Sequence, residues 1–253
     1  GDTHYADTTD PSIQFQHHYN YRRQAFFATV LRNVPTYSMW DDHDYGPNNS
    51  DGTEKGKEGS LAGWKQFWAN PGAGTADTPG AFYQFTRGEV DFFVVDSRYH
   101  RSPDSAPDDD KKRMLGDAQF KWLMNGLKNS KAKFKVIASG STLDHSKNDG
   151  WKIYTYSRHR LFDGIKKHNI SGVMYMSGDI HKSLVWEHTE SQERMGYPLV
   201  EVISSGITNG ALSFATVDFD TSKDDPTVCV RIVHHDGTVR DEKTWKLSQL
   251  GGK

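Results

Sequence analysis

A chain of 253 residues is long enough to bury a full core, as one large domain or two small ones. A formal net charge of −2 excludes the global field that would draw nucleic acid or an anionic membrane surface. The single cysteine, Cys229, excludes an intrachain disulfide, and no run approaches the ~18 apolar residues of a membrane span.

The chain opens Gly1-Asp2-Thr3-His4-Tyr5-Ala6-Asp7, already rich in metal-capable and acid/base side chains. It begins with Gly rather than Met, so the natural protein is expected to continue upstream, with any signal segment there. Residues 13–33 read as one helix, with start signals at Pro11 and Ser12 and an apolar stripe of Phe15, Tyr19, Phe26, Val30 and Leu31. Its segment from His17 to Arg23 admits a basic–aromatic nucleic-acid surface, but solvated charges on a helix face are the better reading.

Residues 34–39 read as a short strand leading into Trp40-Asp41-Asp42-His43-Asp44-Tyr45-Gly46-Pro47. Three carboxylates and a histidine in four positions repel one another unless a cation or an acid/base task holds them. The alternative is a solvated acidic turn. Residues 50–59 lack an apolar anchor and read as a mobile surface loop bordering the site. Residues 61–68 form a short aromatic helix whose rings belong to the core, ended by Pro71-Gly72.

Residues 81–85 and 90–96 form a hairpin around Arg87-Gly88-Glu89. The second strand ends in Asp96-Ser97-Arg98, where Arg98 suits either a bidentate phosphate clamp or a structural pair with Asp96. After a polar loop at 102–112, a helix opens at residues 115–123 and a strand covers 134–141. His145 beyond it is a further ligand or a surface histidine. A helix at 154–168 leads to an apolar strand ending in Ser177-Gly178-Asp179-Ile180-His181, where strand alternation puts Asp179 and His181 on one side. The remainder reads as β, at 198–204, 211–220 and 227–234, with Cys229 a small buried residue. Helices alternating with strands, then a β tail, indicate an α/β fold in one domain, residues 1–253, and such sheets gather ligands at strand ends.

The three blocks Gly1-Asp2-x-x-Tyr5, Trp40-Asp41-Asp42-His43-Asp44 and Ser177-Gly178-Asp179-x-His181 resemble the calcineurin-like metallophosphoesterases, in their alkaline phosphatase D (PhoD-like) branch. Asp96-x-Arg98-x-x-Arg101, Leu115-Gly116-x-x-Gln119-x-x-Trp122-Leu123 and Glu201-Val202-x-Ser204-Ser205-Gly206 are similar to that branch too. The resemblance implies a four-layer αββα sandwich around a two-metal site, secreted, periplasmic or at the cell surface. Asp2 would bridge the metals. Tyr5 and His181 would bind the first, implied to be ferric iron by the phenolate. Asp42 and Asp179 would bind the second, a harder ion such as calcium, or magnesium or manganese. His43 would contact the phosphoryl oxygen or protonate the leaving group, and Arg98 would clamp phosphate. The family also has an upstream block supplying an Asp or Cys, on a strand this chain is expected to lack. A phosphate-ester hydrolase is the leading expectation. A non-catalytic phosphate- or metal-binding module on the same scaffold is the alternative, and no stable nucleic-acid partner is expected.

Overall fold

The computed structural model describes residues 1–146, 148–206 and 212–252. A six-stranded sheet is built from β1 (Tyr83–Arg87), β2 (Val90–Val94), β3 (Phe134–Ala138), β4 (Val173–Ser177), β5 (Ser183–His188) and β6 (Leu199–Ser204), in the order β1-β2-β3-β4-β6-β5. Strands β2, β3, β4 and β6 run parallel, and the antiparallel β1 and β5 close the two edges. Parallel neighbours need crossovers: α5 (Asp117–Asn129) supplies the one from β2 to β3 and α6 (Thr155–Lys167) the one from β3 to β4. The carboxyl ends of the four parallel strands therefore open toward one edge of the sheet. They lead into Asp96-Ser97-Arg98, Ser139-Gly140-Ser141, Gly178-Asp179 and Ser205-Gly206.

Side-chain alternation divides the sheet's faces. Phe93, Ile137 and Tyr175 stand in register, and Gly126 of α5 approaches so closely that a Cβ there would meet the Phe93 ring at 2.5 Å. Phe134, on the other face, meets Phe219 with ring centroids 5.2 Å apart. Phe219 belongs to a second, antiparallel sheet of β7 (Ser213–Asp220), β8 (Thr227–His234) and β9 (Val239–Lys246). One cluster including Leu123, Phe162, Val136, Met174, Val228 and Val230 joins helices and both sheets by apolar burial. A second includes Trp40, Tyr45, Trp64, Trp68, Tyr83 and Tyr99, and anchors the acidic loop at residues 41–44.

Several expectations change. The helix expected over 13–33 is two, α1 (Pro11–Arg23) and α2 (Ala25–Asn33), because Gln24 is extended at ψ 127°. Asp10 caps α1 through the amides of Ser12 and Ile13. The strand expected at 34–39 joins no ladder. Pro35 lacks an N–H, and the Ser38 backbone is bonded at both ends to the Asn70 amide, with Tyr83 Oη adding a third bond. Residues 50–59 are anchored through backbone rather than apolar contacts. Gly52 N–H donates to Arg101 O at 3.0 Å, and Lys57, first residue of α4 (Lys57–Phe67), donates to Gly52 O and Tyr99 O. The β tail is interrupted by α7 (Thr189–Met195), whose polar sequence lacks an apolar period. It also contains β5 and β9, neither of which the sequence reading drew out. Residue 211 of the expected 211–220 strand lies outside the described residues. Cys229 is half-buried, on the outer face of β8 with Arg231, which pairs with Asp218 and Glu242.

The His17–Arg23 segment is a solvated face only in part: Tyr19, Asn20 and Arg23 are exposed, whereas His18 is buried and Arg22 half-buried. Arg22 lies over the Phe67 and Trp68 rings, 4.8 and 4.4 Å from their centroids. His18 is buried and bonded to the buried His4, Nε2 to Nε2 at 3.1 Å. Arg22 can only donate, and its 3.3 Å contact at His18 Nδ1 puts the neutral His18 proton on Nε2. Burial first, then the charges of His4, Arg22 and His17, push His18 down to about 3. A basic group so depressed keeps its stabilisation above its unfolded pKa of about 6.5 and loses it as pH falls toward 3. The expected acid loss from His18 alone is about 2 kcal/mol by pH 5. Denaturant melts at pH 7 and 5 should show it in the wild type and not in His18→Gln.

Candidate functional site

The acidic loop separates its carboxylates by role. Asp44, in α3 (Asp42–Tyr45), accepts from Thr3 N–H at 3.0 Å, from the Thr3 hydroxyl and from Asp41 N–H at 3.3 Å, tying the opening loop to this one. Asp41 is fully buried and accepts from Arg98 Nε at 2.5 Å. Its backbone and Cβ are flanked by glycines: a Cβ on Gly1 would meet Asp41 Cβ at 2.4 Å, and one on Gly140 would meet Asp41 Cγ at 2.5 Å. Asp42 remains. Its Oδ2 accepts from Asn49 N–H at 2.7 Å, while the buried Oδ1 has no hydrogen-bond partner among the described residues. His43 Nδ1 lies 2.5 Å from Asp7 Oδ1, and its Nε2 lies 4.0 Å from Asp42 Oδ2.

Asp2 is the meeting point. One ligand atom each from Asp2, Asp42 and His43 lies within 4.8 Å of the others. Tyr5 Oη lies 3.5 Å from Asp2 Oδ2 and 2.9 Å from His181 Nε2, His181 Nε2 is 4.0 Å from Asp2 Oδ2, and the Tyr5 ring packs on the His43 ring with centroids 4.2 Å apart. Five of the expected site residues, Asp2, Tyr5, Asp42, His43 and His181, are thus drawn together from three separate loops. Asp179 is half-buried and feels the charges of Asp41, Asp149, Arg98 and Asp42. Its Oδ2 is buried with no hydrogen-bond partner among the described residues. Strand alternation is not what places Asp179 and His181. Strand β4 ends at Ser177, and both residues sit beyond it in the left-handed region, at φ 70° and 55°.

Asp2 and Asp7 are left-handed as well, both at φ 53°. Of seven such non-glycine residues described, four are therefore at this site. Conformations of this kind cost about 1–3 kcal/mol each and persist where the surroundings enforce them. The electrostatics are equally unfavourable. Burial, then Asp41, Asp42 and Asp44, pushes Asp2 up to about 9. Burial, then Asp41 and Asp149, pushes Asp179 up to about 7 against the pull of Arg98. Crowded, desolvated carboxylates suit a hard cation, whose charge would offset their mutual repulsion.

Arg98 stands elsewhere than a clamp would. It is completely buried, and its guanidinium binds Asp41 and both oxygens of Asp149, with Asp42 Oδ1 3.6 Å away. Arg101 meets the same Asp149 at 3.0 Å. Burial alone would raise Asp149, but Arg98 and Arg101 together hold it below the usual carboxylate range. The Asp96–Arg98 alternative does not form between side chains either. Asp96 accepts from the backbone amides of Ala81, Arg98 and Tyr99. His145 lies 3.9 Å from Glu201, away from Asp2, and Glu201 braces Ser177 at 2.6 Å just before Gly178.

The sequence reading gave no role to Asp7, Asp44 or Asp149. Asp7 had one signal, its place five residues after Asp2 in the opening block. Asp149 had none, because Asp149-Gly150 reads as an ordinary turn.

Three comparisons bear on this site. The family described as PhoD-like phosphatase matches residues 12–242, a range that includes Asp42, His43, Arg98, Asp179 and His181 and begins after Asp2 and Tyr5. Alkaline phosphatase D of Bacillus subtilis (strain 168) is 24% identical over 228 residues, covering 76% of this chain and 39% of that protein. A solved structure titled "Structure of PhoD" superposes with a TM-score of 0.69 at 18% identity, over 96% of this chain and 60% of that one. This second likeness carries the fold. The chain spans about two-fifths of the curated relative's length.

Proposed function

The chain belongs to the PhoD-like phosphatase family, and from that premise we propose that it hydrolyses phosphoric esters at the Asp2 centre. The observation that carries the reading is the convergence of Tyr5, His181, Asp42 and His43 around one buried carboxylate, Asp2. Asp2 would be shared by two cations. Tyr5 and His181 would complete one site, where a phenolate favours ferric iron. Asp42 and Asp179, each with one buried oxygen lacking a hydrogen-bond partner among the described residues, would complete a site for calcium, or for magnesium or manganese. Bound there, such ions lower the pKa of water and draw charge from phosphoryl oxygens.

The protein's own groups do the rest. His43 is held by Asp7 at Nδ1, which leaves Nε2 to give a proton to the departing alcohol oxygen. The Asn49 amide fixes one oxygen of Asp42 and so aims the other. Arg98 positions Asp41 and Asp149 behind the site rather than touching the ester. The whole chain acts as one metallophosphoesterase domain. Its location outside the cytoplasm follows from family likeness. No helix among the described residues is long and apolar enough to cross a membrane.

The test is release of p-nitrophenol from its phosphate mono- and diesters. Turnover should vanish with a chelator and return with added metal. Metal-loaded protein that binds inorganic phosphate without turnover would instead favour a binding module. With iron bound, a visible charge-transfer band should appear and be lost in Tyr5→Phe. Asp7→Asn should lower kcat about 10- to 100-fold with KM little changed.

A further inference from the structure

Beside Asp2 lies an apolar slot of about 100 Å³. Gly1, Asp2 and Thr3 form one wall, Tyr21, Phe26 and Phe27 a second, and Ser204 and Ser205 at the end of β6 a third. Asp2 is the only charged side chain lining it among the described residues. The aromatic wall exists because the helix breaks at Gln24, with Tyr21 on one side of the break and Phe26 and Phe27 on the other. Phe27 is held edge-on by Trp68, with centroids 6.4 Å apart. Phe26 is 56% exposed. The Ser205 hydroxyl at the third wall is buried and has no hydrogen-bond partner among the described residues.

An apolar body with polar groups at one end is the general form of a small-ligand pocket. We propose that this slot is the subsite for an apolar alcohol portion of the ester, a single-ring aryl or short alkyl group, so that the preferred substrates are phosphate esters carrying one. The slot is smaller than an apolar cavity of roughly 150 Å³ that takes up benzene, so a single ring or a short alkyl group is the most it can receive. Ring faces favour an aromatic occupant through offset or edge contacts. The Ser205 hydroxyl is available to donate to an ester oxygen, and a sugar or second phosphate would meet no cationic or amide partner among the lining side chains. This inference rests on the phosphoesterase reading for its substrate class.

The experiment uses two readouts on the metal-loaded protein. The first is kcat/KM for phenyl phosphate and glycerol phosphate, in the wild type and in Phe26→Asp. The second is calorimetric binding of phenylphosphonate and methylphosphonate, which have no leaving group and so remove the difference in intrinsic reactivity. Phenylphosphonate should bind about tenfold more tightly than methylphosphonate. Phe26→Asp should remove that preference and lower the phenyl phosphate rate about tenfold more than the glycerol phosphate rate. Equal binding of the two phosphonates, with turnover intact, would overturn the slot and leave the hydrolase standing. A phenyl preference in binding with no turnover of any ester would keep the slot and overturn the hydrolase. The exposed Phe26 is chosen so that folding survives, and a melt of the variant checks this.

Discussion

Replacing Arg98 by methionine should destabilise the protein by about 3–5 kcal/mol, lowering Tm by roughly 10 °C. Removal leaves Asp41 Oδ1 with only a long bond from the Ser141 hydroxyl, and the Asp149 carboxylate with Arg101 as its one remaining counter-charge, among fully buried side chains. The penalty comes from desolvated carboxylates that lose their counter-charge, so it should shrink when Asp149 is replaced by asparagine in the same chain. A double-mutant cycle by urea melts measures that coupling. A phosphate clamp would behave in the opposite way, raising KM while leaving the melt unchanged. A variant that melts like the wild type and binds phosphate poorly would return Arg98 to the clamp role that its strand-end position first suggested.

The second large effect carries two signs. Asp2→Asn should abolish tight metal binding and lower turnover by at least about 10³-fold, because both proposed cation sites use this carboxylate. The metal-free variant should nevertheless be more stable than the metal-free wild type. Without a cation, Asp2 has a folded pKa of about 9 against an ordinary 3.8. Between those values the folded chain takes up a proton that the unfolded chain does not, so stability falls as pH rises across the window. Asparagine has no such penalty and accepts the left-handed backbone at φ 53°. The expected gain at pH 7 is on the order of 2–4 kcal/mol, vanishing near pH 4. Melts in chelator at both pH values check it, and an asparagine variant no more stable than its parent would show that neighbouring groups already neutralise Asp2.

Much of this was legible in the residues themselves. The hairpin, α5, α6 and the strand before Gly178 follow from apolar periodicity, which survives in tertiary structure because the same faces make the core. The site blocks were legible because crowded carboxylates and histidines have few uses. What the sequence hid was the division of labour among like residues. Asp41, Asp42 and Asp44 are chemically alike, and only distant partners (Arg98, the Asn49 amide and Thr3) decide which of them faces the site. The break at Gln24 was hidden for a different reason. Glutamine is a good helix former, and tertiary packing of the rings on either side overrides that propensity. Residues 34–39 have strand composition, yet the amide of Asn70 supplies the bonds that a neighbouring strand would have made.

The interruption at Gln24 has an evolutionary consequence. Residues 21–27 carry the rings beside the reaction centre, whereas the acidic groups that would perform the chemistry are fixed from other loops. Natural variation in that short stretch is therefore free to change which alcohol is accepted while leaving the hydrolytic apparatus intact. Diversification by this route needs no compensating change among the buried aspartates.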